Sequence, residues 1–207
     1  MARKPPTKPR KNALQARSRA TVDALVEATA RIPVREGFEK ASTNRIAEIA
    51  GVSVGSLYQY FPSKEALVAA VIDRHNEEIM QVVRAALTDM PIEKGVRRLV
   101  TVAIEAHRID PKLHRVLAEQ IPRTGQLAEV EAFNREVHTL VRAYLESRRK
   151  EMRRIDPGLA TFICVSAIEA VAHNTVLNQA EMLSDKTVRT LVDETTRMVV
   201  GYLRPST

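Results

Sequence analysis

Apolar residues return every three or four positions along most of this chain, a spacing that predicts an all-α protein of about nine helices. Val22, Leu25, Thr29 and Ile32 mark one face of a first helix from about Ser18 to Glu36, which Gly37 terminates. Pro33 lies late in it, where it removes the hydrogen bond to residue 29 and clashes with that carbonyl, at about 3 kcal/mol in a helix interior. The expectation is a kink or an early end near Arg31. Ser63 caps a long fourth helix whose buried stripe runs through Leu67, Val71, Ile79, Val82, Val83, Ala86 and Leu87 toward Met90. A fifth, opened by Pro91, carries Val96, Leu99, Val100, Ala103 and Ile104 and ends before Asp110; a short sixth reaches about Gln120. The seventh starts at Thr124 and keeps helical spacing from Leu127 to Leu145, with cationic last turns from Arg148 to Arg154 that suit a helix C-terminus. Asp156 and Pro157 open the eighth helix, and Ser184 with Asp185 the ninth.

The second and third helices lie between Ser42 and Lys64 and are short. Ser42 is a preferred N-cap residue, and behind it Ile46, Ile49 and Ala50 give about two turns with one apolar stripe. Gly51 stops that helix by tolerating a left-handed backbone, Val52 drops into the core, and Ser53 caps a second helix from Val54 to Tyr60, which Pro62 ends. A helix, a tight turn and a capped short helix are the geometry that lays a recognition helix into the DNA major groove. Gly55 removes a side chain where backbone approaches phosphate. Ser56, Tyr58, Gln59 and Tyr60 carry hydroxyls and an amide for phosphate oxygens or base edges, and Lys64 adds a point charge. Ser42, Thr43, Arg45, Ser53 and Val54 complete the candidate DNA-binding set, Val54 as an apolar contact suited to a thymine methyl. An ordinary helical hairpin packed inside a larger domain is the other reading of this spacing.

The segment from about Arg19 to Asp73 resembles the DNA-binding domain of the TetR family of bacterial transcriptional regulators, on the strength of AGVSVGSLYQYFPSKEAL. The resemblance covers about a quarter of the chain at motif strength; the other helices share only number and rhythm. It implies that Ser42 replaces the usual threonine opening the second helix, that Tyr58 is the phosphate-contacting tyrosine and that Lys64 is the usual lysine. Val54 departs from it, standing where a lysine is frequent, and so does Pro33, where the family carries a large apolar residue. The resemblance further implies a homodimer, an effector-binding core among the fourth to seventh helices, and repression relieved from a palindromic operator by a small molecule. It divides the chain into a basic arm over 1–16, a helix-turn-helix domain over 17–75 and an effector-binding and dimerisation domain over 76–207. No cofactor or metal is expected.

Charge sharpens the first of these divisions. Residues 1–19 contain Arg3, Lys4, Lys8, Arg10, Lys11, Arg17 and Arg19 and no acid, and those seven equal the whole formal excess of +7; the other 25 basic residues match the 25 acidic ones. With three prolines in nine residues, this arm is expected to be unfolded when free and to track phosphates or enter a minor groove. It lacks the apolar centre of a signal peptide, and the most apolar window, Leu159 to Ala172, is too short to span a membrane and carries Glu169. A single cysteine, Cys164, in an apolar run reads as a buried thiol in a reducing cytoplasm.

The eighth helix is apolar on more than one face, and its surplus calls for a partner. Phe162, Val165, Ile168, Glu169 and His173, with Val188, Leu191, Val192 and Met198 of the ninth, are the expected dimer contacts in a two-fold four-helix bundle. Met80, Met90, Ile104, His107, Phe133 and Tyr144 are the candidate effector contacts. An enzyme is disfavoured: none of the histidines makes an i,i+4 pair with another, Glu169 and His173 read as a polar contact, and no glycine-rich phosphate loop or nucleophile elbow occurs. The competing function is a helical protein-interaction module with impaired DNA binding, which Pro33 and Val54 would suit.

Overall fold

Side-chain caps and proline stops set where the helices of this chain begin and end. The computed structural model describes residues 16–36, 42–87, 89–109, 111, 127–178 and 184–205, and among them every regular element is helical. In order these are α1 (Ala16–Glu36), α2 (Thr43–Ile49), α3 (Val54–Tyr60), α4 (Lys64–Ala86), α5 (Ile92–Ile109), α6 (Leu127–Ser147), a 3-10 turn (Arg149–Glu151), α7 (Pro157–Asn178) and α8 (Asp185–Leu203). Ser63 Oγ accepts from the Ala66 N–H at 3.2 Å to start α4, Asp156 Oδ1 from that of Leu159 at 2.8 Å to start α7, and Ser184 Oγ from that of Thr187 at 3.3 Å to start α8.

The chain divides into two compact units, one containing α1–α3 and α4 as far as Asn76, the other Glu77–Pro111 with Val130–Thr207. The first unit closes around Leu25, Ile32, Ile46, Leu57, Phe61 and Leu67, each at most 1% exposed. Burying a side chain of this size is worth about 1.5–3 kcal/mol, so this small core holds both short helices, which are too short to persist alone. In the second unit α5 runs between α7 and α8, and Val100, Ile104, Tyr144, Leu145 and Leu203 lie at its centre. The exposed Arg97 pairs with Asp193 of α8 at 2.5 Å, and Arg108 bridges Glu105 and Asp185.

At the start of α5, Tyr144 stands where that helix has no side chain. A Cβ on Gly95 would come within 2.0 Å of the phenolic oxygen, which donates to the carbonyls of Met90 and Pro91, 3.1 Å from each. Burial, and then the Glu151 carboxylate, push the Tyr144 phenol up to about 12, so it remains a donor at any ordinary pH.

Several expectations are corrected here. Helix α1 does not end near Arg31: it continues through Pro33 to Glu36, on an anchor of Leu25, Ala28, Thr29 and Ile32 buried in the first core. Val82, expected in the buried stripe of α4, is 50% exposed, and Ile49 in α2 is 40% exposed while Ala47 takes the inward place. The cationic run from Arg148 to Arg154 is no helix end: α6 stops at Ser147 and the run forms the 3-10 turn and a non-helical strap. The basic arm before Ala16, Gly37, the short sixth helix and the start of the seventh at Thr124 lie outside the described residues.

Candidate nucleic-acid interface

The helix-turn-helix is fixed at both of its caps. Ser42 Oγ accepts from the Arg45 N–H at 3.2 Å, and Ser53 Oγ from the Ser56 N–H at 3.1 Å. Between the two helices Gly51 adopts φ +68, the left-handed region, and is the only described residue with positive φ. Its N–H donates to Glu48 O at 3.1 Å and the Val52 N–H to Ala47 O at 3.0 Å, so the turn is closed by its own backbone. Phe61, ahead of Pro62, is extended and stops α3, and its ring is 1% exposed in the first core.

Held in this way, α3 turns Leu57 and Tyr60 inward and Gly55, Tyr58 and Gln59 outward. The Tyr58 and Thr43 hydroxyls lie 3.1 Å apart, which joins the outer edge of α3 to the first turn of α2. Arg45 is half-buried and paired with Glu48 at 2.9 Å. Ser42 and Ser53 are exposed but hold their caps, the Ser56 hydroxyl lies 2.9 Å from that of Ser53, and Lys64 is a half-buried first residue of α4. A Cβ on Gly55 would meet only Ser53 Oγ, at 3.9 Å. The protein has room for a side chain at 55, so what a glycine there favours is approach from outside.

Two members of the predicted set are placed differently. Tyr60 is 8% exposed and its hydroxyl donates to Ser18 Oγ of α1 at 3.2 Å, so it ties α3 to its own domain. Val54 is half-buried against the first core, its apolar surface partly used within the protein.

The candidate effector residues all lie at buried or half-buried positions. Met80, Ile104 and Tyr144 are buried, and Met90, His107 and Phe133 half-buried. The Tyr144 hydroxyl donates to Met90 O; His107 lies against His173 of α7, its ring edge-on with 6.1 Å between centroids, and its Nδ1 is 2.7 Å from Ala103 O. Among the described residues no group of three or more His, Cys, Asp or Glu side chains is disposed to hold a metal ion.

Helix α7 carries two stripes. Ala160, Thr161, Cys164, Val165, Ile168, Ala172 and Thr175 are buried, whereas Leu159, Phe162 and Ile163 are 36–59% exposed. Val165 and Ile168, with Val188 and Val192 of α8, spend their apolar surface in the second core, so these four cannot also offer it to a partner. Phe162 at 59% and Met198 at 51% stay uncovered, Glu169 is exposed, and Leu191 and His173 are half-buried. Leu159 and Ile163, not among the expected dimer contacts, share the Phe162 stripe at helical spacing. Cys164 is buried, and burial alone pushes its thiol up to about 11.

Fold and surface together define a helix-turn-helix protein with a second, larger helical unit. Residues 25–71 match the family of bacterial regulatory proteins described as the tetR family, and residues 91–203 match the tetracyclin repressor-like C-terminal domain. The chain belongs to the tetR family. It is 24% identical over 208 residues to the HTH-type transcriptional regulator RutR of Escherichia coli K12, covering 95% of this chain and 94% of RutR. Against the nucleoid occlusion factor SlmA of Glaesserella parasuis it is 30% identical over 82 residues, which span 40% of this chain and only 41% of SlmA. A TetR-family regulator from Mesorhizobium loti superposes with TM-score 0.75 at 18% identity, over 92% of this chain and all of that one. The fatty acid degradation regulator FadR of Bacillus halodurans superposes at 0.72 with 20% identity, over 90% and 97%. These last two are likenesses of fold. No described helix is long and apolar enough to cross a membrane.

Proposed function

We propose that this protein is a sequence-specific DNA-binding transcriptional repressor, a homodimer that leaves a palindromic operator when a small molecule binds its second unit. The carrying observation is the outward row Gly55, Tyr58 and Gln59 on a helix fixed by two serine caps and a closed turn. In this reading the α2 N-terminus and the Tyr58 hydroxyl hold phosphates, the Gln59 amide reads a base edge, and Lys64 adds phosphate charge. The domain division follows it: a basic arm over 1–16, a DNA-binding domain over 17–75 and an effector and dimerisation domain over 76–207. Repression is supported by relatives of this fold, among them SmeT, the repressor of a Stenotrophomonas maltophilia multidrug efflux pump. The output is binding rather than catalysis, at promoters in the cytoplasm. The effector must discriminate between states, since moving a population from 1:99 to 99:1 takes about 5.5 kcal/mol of differential affinity.

Selection of bound duplexes from a random pool tests the reading. The expected result is one inverted repeat with half-sites about one helical turn apart, bound with an affinity that falls steeply with salt. An unenriched pool with a folded, dimeric protein would overturn it in favour of the protein-interaction module.

A further inference from the structure

We infer that the turn between α6 and α7 is a second, sequence-independent nucleic-acid contact, which holds the phosphate backbone through Arg149, Lys150 and Arg154. This goes beyond the helix-turn-helix reading and does not depend on it.

The turn is anchored from several sides. Met152 is buried in the second core, Glu151 Oε2 accepts from the Ile92 N–H at 2.9 Å, and the Arg153 N–H donates to Leu203 O at 2.9 Å. Arg153 also donates through Nε to Tyr202 O at 2.7 Å and lays its guanidinium over the Tyr202 ring, 4.6 Å from the centroid. The acids that flank or touch the turn have other partners, Glu146 among them, which pairs with Arg142 at 2.9 Å. Asp89 pairs with Arg148, Glu93 with Arg204, Glu151 with the start of α5, and Asp156 with the start of α7. Arg149, Lys150 and Arg154 are exposed, and none forms an ion pair among the described residues.

Three cations within six residues, none in an ion pair among the described residues, thus stand on a backbone that does not have to be ordered on binding. Five residue steps span at most about 18 Å, a length of duplex that carries about ten charges. The strap offers no large exposed apolar side chain: Met152 is buried and Ile155 half-buried. Protein interfaces centre on buried aromatic anchors, of which the strap offers none, and stable membrane anchoring takes an apolar insertion besides charge, so charge without anchors fits phosphate best.

Lysine acetylation followed by mass spectrometry reads the site directly, using the full chain and a 30-base-pair duplex of arbitrary sequence. At 50 mM salt the duplex is expected to slow labelling of Lys150 several-fold while leaving Lys186 of α8 unchanged. Protection persists in Tyr58→Ala/Lys64→Ala, disappears in Arg149→Gln/Arg154→Gln, and is lost on raising salt to 200 mM, since three phosphate contacts at about 0.9 each predict about a 40-fold fall in affinity. Unchanged Lys150 labelling with slowed Lys64 labelling overturns the proposal and leaves the helix-turn-helix reading intact. Slowed Lys150 labelling with Lys64 unaffected supports the proposal and leaves the helix-turn-helix, read as sequence-specific, to the selection experiment. Protection of Lys150 by polyglutamate but not by duplex also overturns it, and assigns the turn to an acidic polypeptide.

Discussion

Tyr58 and Tyr60 carry the same hydroxyl two positions apart and do opposite things. Two residues along a helix is about 200° around it, so when Leu57 points inward its i+3 neighbour Tyr60 does too, and Tyr58 does not. Tyr58→Phe should therefore weaken every DNA site by a similar factor, Gln59→Ala should change which bases are selected, and Tyr60→Phe should do neither. The last should instead lower stability by about 0.5–1.5 kcal/mol through its lost bond to Ser18, measured by chemical denaturation. Equal shifts in base preference from Tyr58→Phe and Gln59→Ala would break the division between positioning and reading. Gly55 separates function from stability more sharply. Because a methyl there meets nothing closer than 3.9 Å, Gly55→Ala should raise stability by up to about 0.5 kcal/mol, less than in a helix interior because residue 55 lies in the first turn of α3, while DNA affinity falls. A variant that gained stability and bound DNA unchanged would remove the argument for close backbone approach.

At the scale of elements, the reverse outcome is expected at Gly95. The propensity gain from alanine is about 1 kcal/mol, but a Cβ 2.0 Å from the Tyr144 oxygen forces α5 and α6 apart or the ring out of its place. Overpacking of this kind costs about 1–3 kcal/mol, so Gly95→Ala should lower the denaturation midpoint, and a raised one would contradict the close contact. No sequence signal marks this glycine, because its reason lies on another helix. What was legible were the elements with local causes: the Ser42, Ser53, Ser63, Asp156 and Ser184 caps, the left-handed Gly51 and the stop before Pro62. What was not legible depended on tertiary direction. In the seven residues of α2 the buried arc is Ile46 and Ala47, so the larger Ile49 is left outside. In α1, packing of Leu25, Ala28, Thr29 and Ile32 overrides a local rule at Pro33. In the apolar run of α7, periodicity could not say which of two stripes belonged to the protomer. The buried one includes Cys164, whose thiol at about 11 is about a hundredfold poorer in thiolate at pH 8 than an ordinary one near 9.0. Alkylation should accordingly be slow in the native protein and fast in denaturant.

For the whole molecule, the question is what covers the other stripe. Leu159, Phe162 and Ile163 on α7 and Met198 on α8 are large, apolar and 36–59% exposed, and both helices are held rigidly by the second core beneath them. A patch of this kind on a fixed surface is self-complementary if a two-fold axis passes beside it, and the proposed function requires such an axis to present two recognition helices to two half-sites. Placing a charge at the most exposed position tests both at once. Phe162→Glu should leave the protomer folded, because that side chain contributes nothing to the core, and should convert the dimer to monomer in sedimentation equilibrium. Binding to a full palindrome should then fall to half-site strength and its dependence on salt should become about half as steep, since half the phosphate contacts remain. A variant that stayed dimeric would move the symmetry axis elsewhere. One that became monomeric yet kept the full affinity and slope would separate assembly from DNA binding, and with it the inverted repeat from the function.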